Sequence, residues 1–568
     1  MIVIPKERIE NYKEKGWWQE VTLDDIFKKH TADHPDNMAL VDAPNTMDLY
    51  GREPTRLTWQ QSEKRVMRYA AMFTRHGLKK DDVLIVQLPN IVDLSIVYLT
   101  CARLGIIVSP VPTLYRDNEL KDIAQQVDAK AIITAACIGK CDHAALALRL
   151  QAASPMLEKV FCLGDVDDST DVVEVEAELL NYTDADAAAV ADAVNTAKVC
   201  ADDVFTICWT SGTESSPKGV PRSYNEWLSI ARLISEANEV QSNANFLNPF
   251  PMVNMAGIGT CFFAWAINGG TLVQHHPFDL GLFIQQIRDE DITNTSAPPT
   301  LLNLLLQNDD MLKGINFDRL RTIGSGSAPL SEWMVTGYQE KYDVHITNLF
   351  GSNEGSALMS SYGVISDPVL RARYFPRFFA QSKDGALTTD GFEARIVDPD
   401  TEEEILEVGV IGELRVKGPA VFSGYWRAPE VTARSFDADG WFKTGDLFQI
   451  AGENKEFLEY FGRLKDVVIR GGMNISPVEI ETLLMAYPAI ADVAIVGAPD
   501  KIMGERVCAF VVPKKDQVVE LEAINNYLRD DKGVAIFKQV ERLEIVDSLP
   551  RNAIGKVLKT ALREQLSE

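Results

Sequence analysis

The sequence predicts an α/β protein in two parts. A large N-terminal domain stacks α/β subdomains and ends in a small β subdomain, and a small α+β domain follows at the C-terminus. Three observations predict this. The chain has 568 residues, too many for one core when a domain takes about 100–200. Short Val/Ile/Leu runs alternate with longer helical patterns through much of the chain, as layers built on parallel sheets require. After about residue 385 the texture changes to short strands with Gly turns, and then to a compact α+β pattern.

Taken in order, Asp82-Val-Leu-Ile-Val-Gln-Leu-Pro89 reads as a buried strand leading into a helix through Ala102-Arg-Leu-Gly105. Ala129-Lys-Ala-Ile-Ile-Thr134 and Val204-Phe-Thr-Ile-Cys-Trp209 are further strands. Residues 183–201, rich in Ala and Asp, read as a surface helix and linker. From Val240 to Phe278 there is no Asp, Glu, Lys or Arg, and Met255 to Ile267 is strongly apolar. That run is shorter than the roughly 20 residues a bilayer needs. Asn254, Gly257, Gly259, Asn268, Gly269 and Gly270 interrupt it, so it reads as a helix buried inside the protein. Gly412–Gly418, Trp441–Asp446 and Glu456–Gly462 are short strands of the β subdomain. The last region reads as a helix at 477–487, strands at 493–496 and 507–512, a helix at 521–532, a strand at 539–545, and a final loop and helix.

Lys+Arg 56 against Asp+Glu 82 gives a net charge of −26. No large positive field is available for a nucleic acid, although a nucleotide needs only a local basic pocket. The eight cysteines are scattered without a C-x-x-C pair, as small buried hydrophobes in a reducing compartment would be. His275-His276 has no ligand-spaced Cys, Asp or Glu nearby, which argues against zinc. The N-terminus lacks an apolar core of signal length. A cytoplasmic protein without a membrane span is expected, with monomer and dimer both open.

The strongest chemical signal is Thr210-Ser-Gly-Thr-Glu-Ser-Ser-Pro-Lys-Gly219, directly after the strand ending at Trp209. Gly212 lets the backbone approach a ligand, hydroxyls and free N–H groups at Thr210, Ser211 and Thr213 can surround phosphate oxygens, and Lys218 supplies a point charge. It is neither a Walker P-loop nor a G-x-G-x-x-G fingerprint.

The full string resembles the phosphate loop of the adenylate-forming superfamily of acyl-CoA synthetases, peptide-synthetase adenylation domains and firefly luciferase. Five further strings agree in order. Ser325-Gly-Ser-Ala-Pro-Leu330 resembles the adenine-wall loop, with Gly326, Ser327, Ala328 and Pro329 lining it. Asn348-Leu-Phe-Gly-Ser-Asn-Glu354 resembles the Tyr-Gly-x-Thr-Glu motif, bringing in Leu349 and Gly351. Gly440–Asp446 is similar to the ribose motif, Gly462–Asp466 with Gly472–Glu479 to the hinge motif, and Pro550–Lys556 to the C-terminal lysine loop.

The resemblance implies ATP/AMP, Mg²⁺ and coenzyme A as cofactors, and a reaction in which a carboxylate attacks the α-phosphorus of ATP and releases pyrophosphate. Two anions must meet, so charge neutralisation is the main task. Glu354 is the implied Mg²⁺ ligand, and Lys556 is implied to reach the carboxylate and the bridging phosphate oxygen. Asp446 can accept from both ribose hydroxyls, and Arg463 can donate to ribose or phosphate. Phe350 is implied to stack on adenine and Asn348 to pair with its amino group. Asn353 stands where the family has Thr, and its amide can still donate. The family then rotates its small domain, here 465–568, against 1–464 about a hinge residue, here Lys465. That withdraws Lys556 and presents Gly471 and Gly472, where pantetheine can pass. Asn254 replaces a common family His, and Lys218-Gly-Val-Pro-Arg-Ser223 lacks the His that usually follows the phosphate loop.

Asn254, Met255, Gly257 and Ile258, with Gly326 and Gly351, are expected to wall an acyl pocket that offers no charge for a second carboxylate. A compact apolar acid follows: cyclohexanecarboxylate, cyclohexenecarboxylate, benzoate or a medium-chain fatty acid. Gly16–Leu23 and Val468–Ser476 resemble the cyclohexanecarboxylate–CoA ligase branch and the medium-chain ligases close to it. The implied activity is an AMP-forming acyl-CoA synthetase, an acid–thiol ligase, able to run towards ATP because anhydride and thioester are similar in energy. The alternatives are a stand-alone aryl-acid adenylating enzyme that loads a carrier protein, and an inactive nucleotide-binding regulatory protein. Asp547-Ser-Leu549 looks like a carrier attachment site but lacks the preceding Gly.

Overall fold

The computed structural model describes residues 1–166, 171–210, 217–355, 357–377, 391–471, 473–552 and 555–566. Two large sheets dominate. The eight-stranded one runs, edge to edge, Ala357–Ser360, His345–Gly351, Thr322–Gly326, Asn294–Ser296, Asn245–Asn248, Thr271–Gln274, Met38–Val41 and Arg56–Thr58. Its six inner strands are parallel and its two edge strands antiparallel. The seven-stranded one runs Lys218–Ser223, Val204–Thr210, Ile107–Pro110, Val83–Gln87, Ala131–Ala135, Lys159–Leu163 and Val173–Glu174. Only the pairing of Val204–Thr210 with Lys218–Ser223 is antiparallel there.

Strand periodicity sorts side chains between layers. Leu84 and Val86 face the central core, while Val83 and Ile85 face the outer helices Asp117–Val127 and His143–Ala153. In the eight-stranded sheet Leu40, Phe246 and Leu272 face that same central core, while Val41, Leu247 and Val273 face Leu280–Asp289, Pro299–Gln307 and Glu332–Tyr342. A period of two along each strand thus requires apolar cover on both faces. Helices therefore lie outside each sheet and between the two.

The central layer contains Val92–Leu104, every residue of which is buried, with Trp59–Arg75 and Tyr224–Ala237. The uncharged stretch also lies here, as Met255–Gly257, a π-helical run Ile258–Phe263, and Ala264–Asn268. Trp265 stacks on Trp59 with ring centroids 5.0 Å apart. The expected buried helix is what forms, and no helix among the described residues is long and apolar enough to cross a membrane. Five of the eight cysteines are buried, Cys137 is exposed, and none is bonded to another.

The β subdomain is a five-stranded antiparallel sheet ordered Tyr374–Pro376, Phe457–Arg463, Phe442–Ala451, Ile411–Lys417 and Glu393–Val397. The expected strand at 441–446 is longer than its motif, so Asp446 lies within a continuous strand. The C-terminal region pairs Ile490–Asp500 with Gly504–Pro513, carries the hairpin Val468–Arg470 and Met473–Ile475, and adds Arg542–Ile545 in parallel. Two expectations there are corrected. The helix expected at 521–532 is α-helical only over Leu521–Asn526 and turns π-helical over Tyr527–Asp531. The strand expected at 539–545 starts at Arg542, because Asn525 holds both the N–H and the C=O of Val540. The surface helix expected at 183–201 is Asp184–Ala197, started by a Thr183–Asp186 capping box.

Leu94, 2% exposed in the central helix, tests this layering. Leu94→Ala should cost about 2–5 kcal/mol in a urea unfolding transition. Leu180→Ala, at an 81% exposed position, should change it by less than about 0.5 kcal/mol.

Candidate active site

Several of the residues singled out by sequence, among them Gly326, Asn348, Phe350 and Glu354, lie where the C-terminal ends of the eight-stranded sheet meet the β subdomain. Thr322–Gly326 and His345–Gly351 run side by side there, with Gly326 opposite Leu349. A Cβ at Gly326 would lie 2.2 Å from the Leu349 carbonyl oxygen, so only glycine allows this approach. The chain then turns through Ser327, at φ +69°, and leaves Ser327, Ala328 and Pro329 exposed on the rim.

Asn348 is buried, and its Nδ2 donates to the carbonyls of Arg371 (3.3 Å) and Ala372 (2.9 Å). Two carbonyl partners fix the amide orientation and leave Oδ1 as the acceptor an amino group would need. Phe350 is half-buried against Phe448, Tyr460 and Phe375, with centroids 5.1, 5.8 and 6.2 Å away. Leu349 packs on the central core, and Gly351 ends the strand in an exposed position.

Glu354 follows in a turn clamped from three sides. Gly355, at φ +95°, lies so close to Ala420 that a Cβ would sit 1.9 Å from its oxygen. The Glu354 carbonyl accepts from the Phe422 N–H (2.8 Å), and the fully buried Arg222 donates to the Asn353 carbonyl (3.2 Å). The Asn353 amide itself accepts from the Met255 N–H (2.9 Å) and donates to the Trp209 carbonyl (3.3 Å). One Nδ2–H is left for an outside acceptor. The Glu354 carboxyl is 9% exposed. Tyr425 donates to its Oε1 at 3.0 Å, and its other oxygen makes no hydrogen bond to a described residue. Burial, and then the Glu354 charge, push the Tyr425 phenol far up, so it stays a donor.

The Thr210 side of the phosphate loop lies opposite Lys218 in antiparallel register. Ser211, Gly212 and Thr213 lie outside the described residues. The Lys218 ammonium sits over the Tyr425 ring, 5.5 Å from its centroid.

Asp446 and Arg463 face each other across two β-subdomain strands, Nε to Oδ1 at 3.2 Å. Burial pushes the Asp446 carboxyl up, while Arg463 and Lys556 pull it back. Gly445 N–H donates to Glu413 Oε1 (3.1 Å), and Asp446 N–H donates to Thr444 Oγ1 (3.1 Å). Lys556 arrives from the C-terminal region on a turn closed by Asn552, which takes up both its N–H and its C=O. Lys556 is exposed, with Arg463, Asp446, Asp466 and Lys465 close enough to act on its charge. Burial, and then Arg463, lower its pKa to about 8 against the pull of Asp446 and Asp466. Lys465 is exposed, lowered by burial and Arg463, and its carbonyl accepts from Arg563 (3.3 Å).

The acyl-wall residues divide. Asn254 caps the central helix, its Oδ1 accepting from Ala256 and Gly257 N–H, and with Met255 keeps partial exposure. Ile258 has no exposed surface, and Gly257 is pressed against the Pro251 carbonyl, so these two face the core. Gly471, at φ +58°, turns the exposed C-terminal hairpin with its N–H on the Met503 carbonyl (2.7 Å), while Gly472 is outside the described residues. Tyr425, Arg222 and Glu413 escaped sequence reasoning, because their roles lie in contacts far along the chain. Among the described residues no cluster of three or more metal-ligand side chains forms. Glu354 fits the one or two carboxylates that Mg²⁺ takes when phosphates supply the rest.

A lysine held over Tyr425, a buried acid beside an arginine, and an amide with its oxygen unused by Arg371 and Ala372 are groups of the kind a nucleotide site needs. Comparison with known proteins narrows the class. The AMP-binding enzyme family model matches residues 27–426 and the AMP-binding enzyme C-terminal domain matches 479–556. The chain belongs to the AMP-binding enzyme family and is an adenylate-forming ligase. Long-chain-fatty-acid–CoA ligase FadD13 of Mycobacterium tuberculosis is 28% identical, over 90% of this chain and 93% of its own. The 2,3-dihydroxybenzoate-AMP ligase of Bacillus subtilis is 26% identical, over 99% of this chain and 97% of its own. An ATP-bound RpMatB-BxBclM chimera superposes with a TM-score of 0.77, at 25% identity over 95% of this chain and 98% of that one.

The coupling of Asp446 to Lys556 is testable without turnover. In ¹³C NMR of the reductively methylated protein, the Lys556 signal should titrate near pH 8 in the wild type. It should titrate lower in Asp446→Asn, which removes a charge that holds the ammonium.

Proposed function

We propose that this chain is an AMP-forming acyl-CoA synthetase. A carboxylate attacks the α-phosphorus of ATP to give acyl-AMP and pyrophosphate, and the coenzyme A thiol then attacks the acyl carbonyl to give acyl-CoA and AMP. The observation that carries this reading is the arrival of Lys556 beside Asp446 and Arg463, each within reach of the other's charge. A cation from a second domain at that point can neutralise the charge that builds as two anions meet.

In this reading the Asp446 carboxylate takes the ribose hydroxyls and Arg463 holds it in place. Asn348 Oδ1 accepts from the adenine amino group, and Phe350 lies against the base. Thr210, Lys218 and the loop residues Ser211, Gly212 and Thr213 surround the phosphates, and the free Nδ2–H of Asn353 can join them. Glu354 would hold Mg²⁺, which when bound offsets phosphate charge. For thioester formation the region beyond Lys465 turns about that residue, withdrawing Lys556 and bringing Gly471 and Gly472 to the thiol path. Asn254, Met255, Gly326 and Gly351 face the acid. The stretch from 240 to 278 carries no charge, which suits an apolar monoacid such as cyclohexanecarboxylate, cyclohexenecarboxylate, benzoate or a medium-chain fatty acid.

A second reading is favoured by one observation. Aryl-acid relatives such as the 2,3-dihydroxybenzoate-AMP ligase align over nearly the whole chain. A carrier-protein thiol would then replace coenzyme A. Pyrophosphate exchange across a panel of acids, followed by AMP release with coenzyme A, separates the readings. Exchange with coenzyme A-dependent AMP release is expected. Exchange without it favours the carrier, and no exchange with any acid overturns the enzyme.

Two further outcomes are expected. Lys556→Ala should lower exchange by more than about 100-fold, as loss of a charge-stabilising group does, yet spare thioester formation from supplied acyl-AMP. The Lys556 ammonium is charged below its pKa, lowered to about 8, and neutral above it. The kcat/KM of exchange should therefore fall as pH rises through about 8, and a flat alkaline limb would count against this role.

A further inference from the structure

Tyr425 stands outside every motif named above, yet it touches two of the groups assigned to the phosphates. Its hydroxyl donates to Glu354 Oε1 at 3.0 Å, and its ring lies under the Lys218 ammonium at 5.5 Å. The segment that carries it is fastened at both ends to the same two elements. The Phe422 N–H donates to the Glu354 carbonyl (2.8 Å), and the Trp426 N–H donates to the Gly219 carbonyl (2.8 Å). Tyr425 N–H is held by Thr432 Oγ1 (2.9 Å), which in turn donates to the Ala428 carbonyl (2.9 Å). Gly219 is tightly packed, since a Cβ there would lie 3.1 Å from Trp426 Cβ and 3.0 Å from Ile207 Cγ2 and would press on both side chains.

We propose that Tyr425 is a positioning residue for nucleotide binding, bridging the Glu354 carboxylate and the Lys218 ammonium so that one oxygen of Glu354 is presented to a divalent cation. The chemistry is that of a phenol donor on a carboxylate. A carboxylate with one oxygen engaged has one left in a set direction, whereas a free one rotates. The π face beneath Lys218 restrains the cation on the opposite side. The β subdomain thereby couples the Mg²⁺ ligand to the phosphate loop across two sheets. This inference rests on the proposed role of Glu354, and it goes beyond it by assigning what aims that carboxylate.

The test is calorimetric ATP binding to the full chain at graded MgCl₂ and in EDTA. Tyr425→Phe keeps the ring and removes the donor. Its half-maximal Mg²⁺ requirement should rise about tenfold, the loss expected for a hydrogen bond to a charged group. Binding in EDTA should not move. Tyr425→Leu should also weaken binding in EDTA, because Lys218 loses its ring. Adding Tyr425→Phe to Glu354→Gln should raise the Mg²⁺ requirement no further, since the tyrosine acts through the carboxylate. An unchanged Mg²⁺ requirement in Tyr425→Phe, or equal losses with and without Mg²⁺, would overturn the bridging role alone. Absence of ATP binding by the wild type at any Mg²⁺ concentration would overturn the bridge and the proposed function together.

Discussion

The cross-strand pair of Asp446 and Arg463 is the constraint around which the cleft is arranged. A carboxylate 4% exposed is costly to keep ionised, and the register of two antiparallel strands places a guanidinium against it. The buried carboxylate depends on that partner, while the guanidinium keeps part of its surface in solvent. Lys556 completes the balance from another domain, and the same surroundings that make Asp446 a weaker acid make the Lys556 ammonium give up its proton more readily. A lysine lowered towards neutrality by its surroundings has most to gain from an arriving anion.

Around this pair the site is built largely from main chain. Gly326 and Gly355 lie where a Cβ would strike a carbonyl oxygen. The Glu354 turn is held by Phe422 N–H, by Arg222 on the preceding carbonyl, and by the Asn353 amide between Trp209 and Met255. One asparagine thus ties the end of the phosphate-loop strand to the start of the central helix. The arrangement links three layers and the β subdomain at one point, and explains how loops can be rigid there without disulfides or a resident metal cluster among the described residues.

The central layer serves the same end. A helix wholly buried at Val92–Leu104 and a charge-free helix from Met255 to Asn268 fill the space between the two sheets. The π-helical run is where the second helix departs from regularity, and five of its six residues pack inward while Thr260, with Met255 and Ala256, keeps some exposure. A helix that faces core on most sides keeps a charge only where a partner meets it, as Arg52 and Arg65 meet Asp93 and as Asp24 and Glu63 meet Arg103 in the helix Val92–Leu104. The stretch from 240 to 278 carries no charge at all, which suits its packing and would select an apolar acid.

Much of this was legible in the sequence. Alternating apolar runs disclosed the sheets because burial on both faces demands them. Glu354, Asp446 and Lys556 could be singled out because each lies in a short string that resembles a family motif. Other features could not. Ile258 reads as pocket wall in one dimension and faces the core in three, since which side of a helix meets a cavity depends on its neighbours. Tyr425, Arg222 and Glu413 act on residues tens to more than a hundred positions away, and no local spacing marks them. The sequence by itself determined the layers, the charge-free centre and the reactive side chains, because strand period and residue chemistry are written in neighbouring positions. Only the tertiary structure decided which charges share the cleft and what aims them, because strand register and domain placement set those distances.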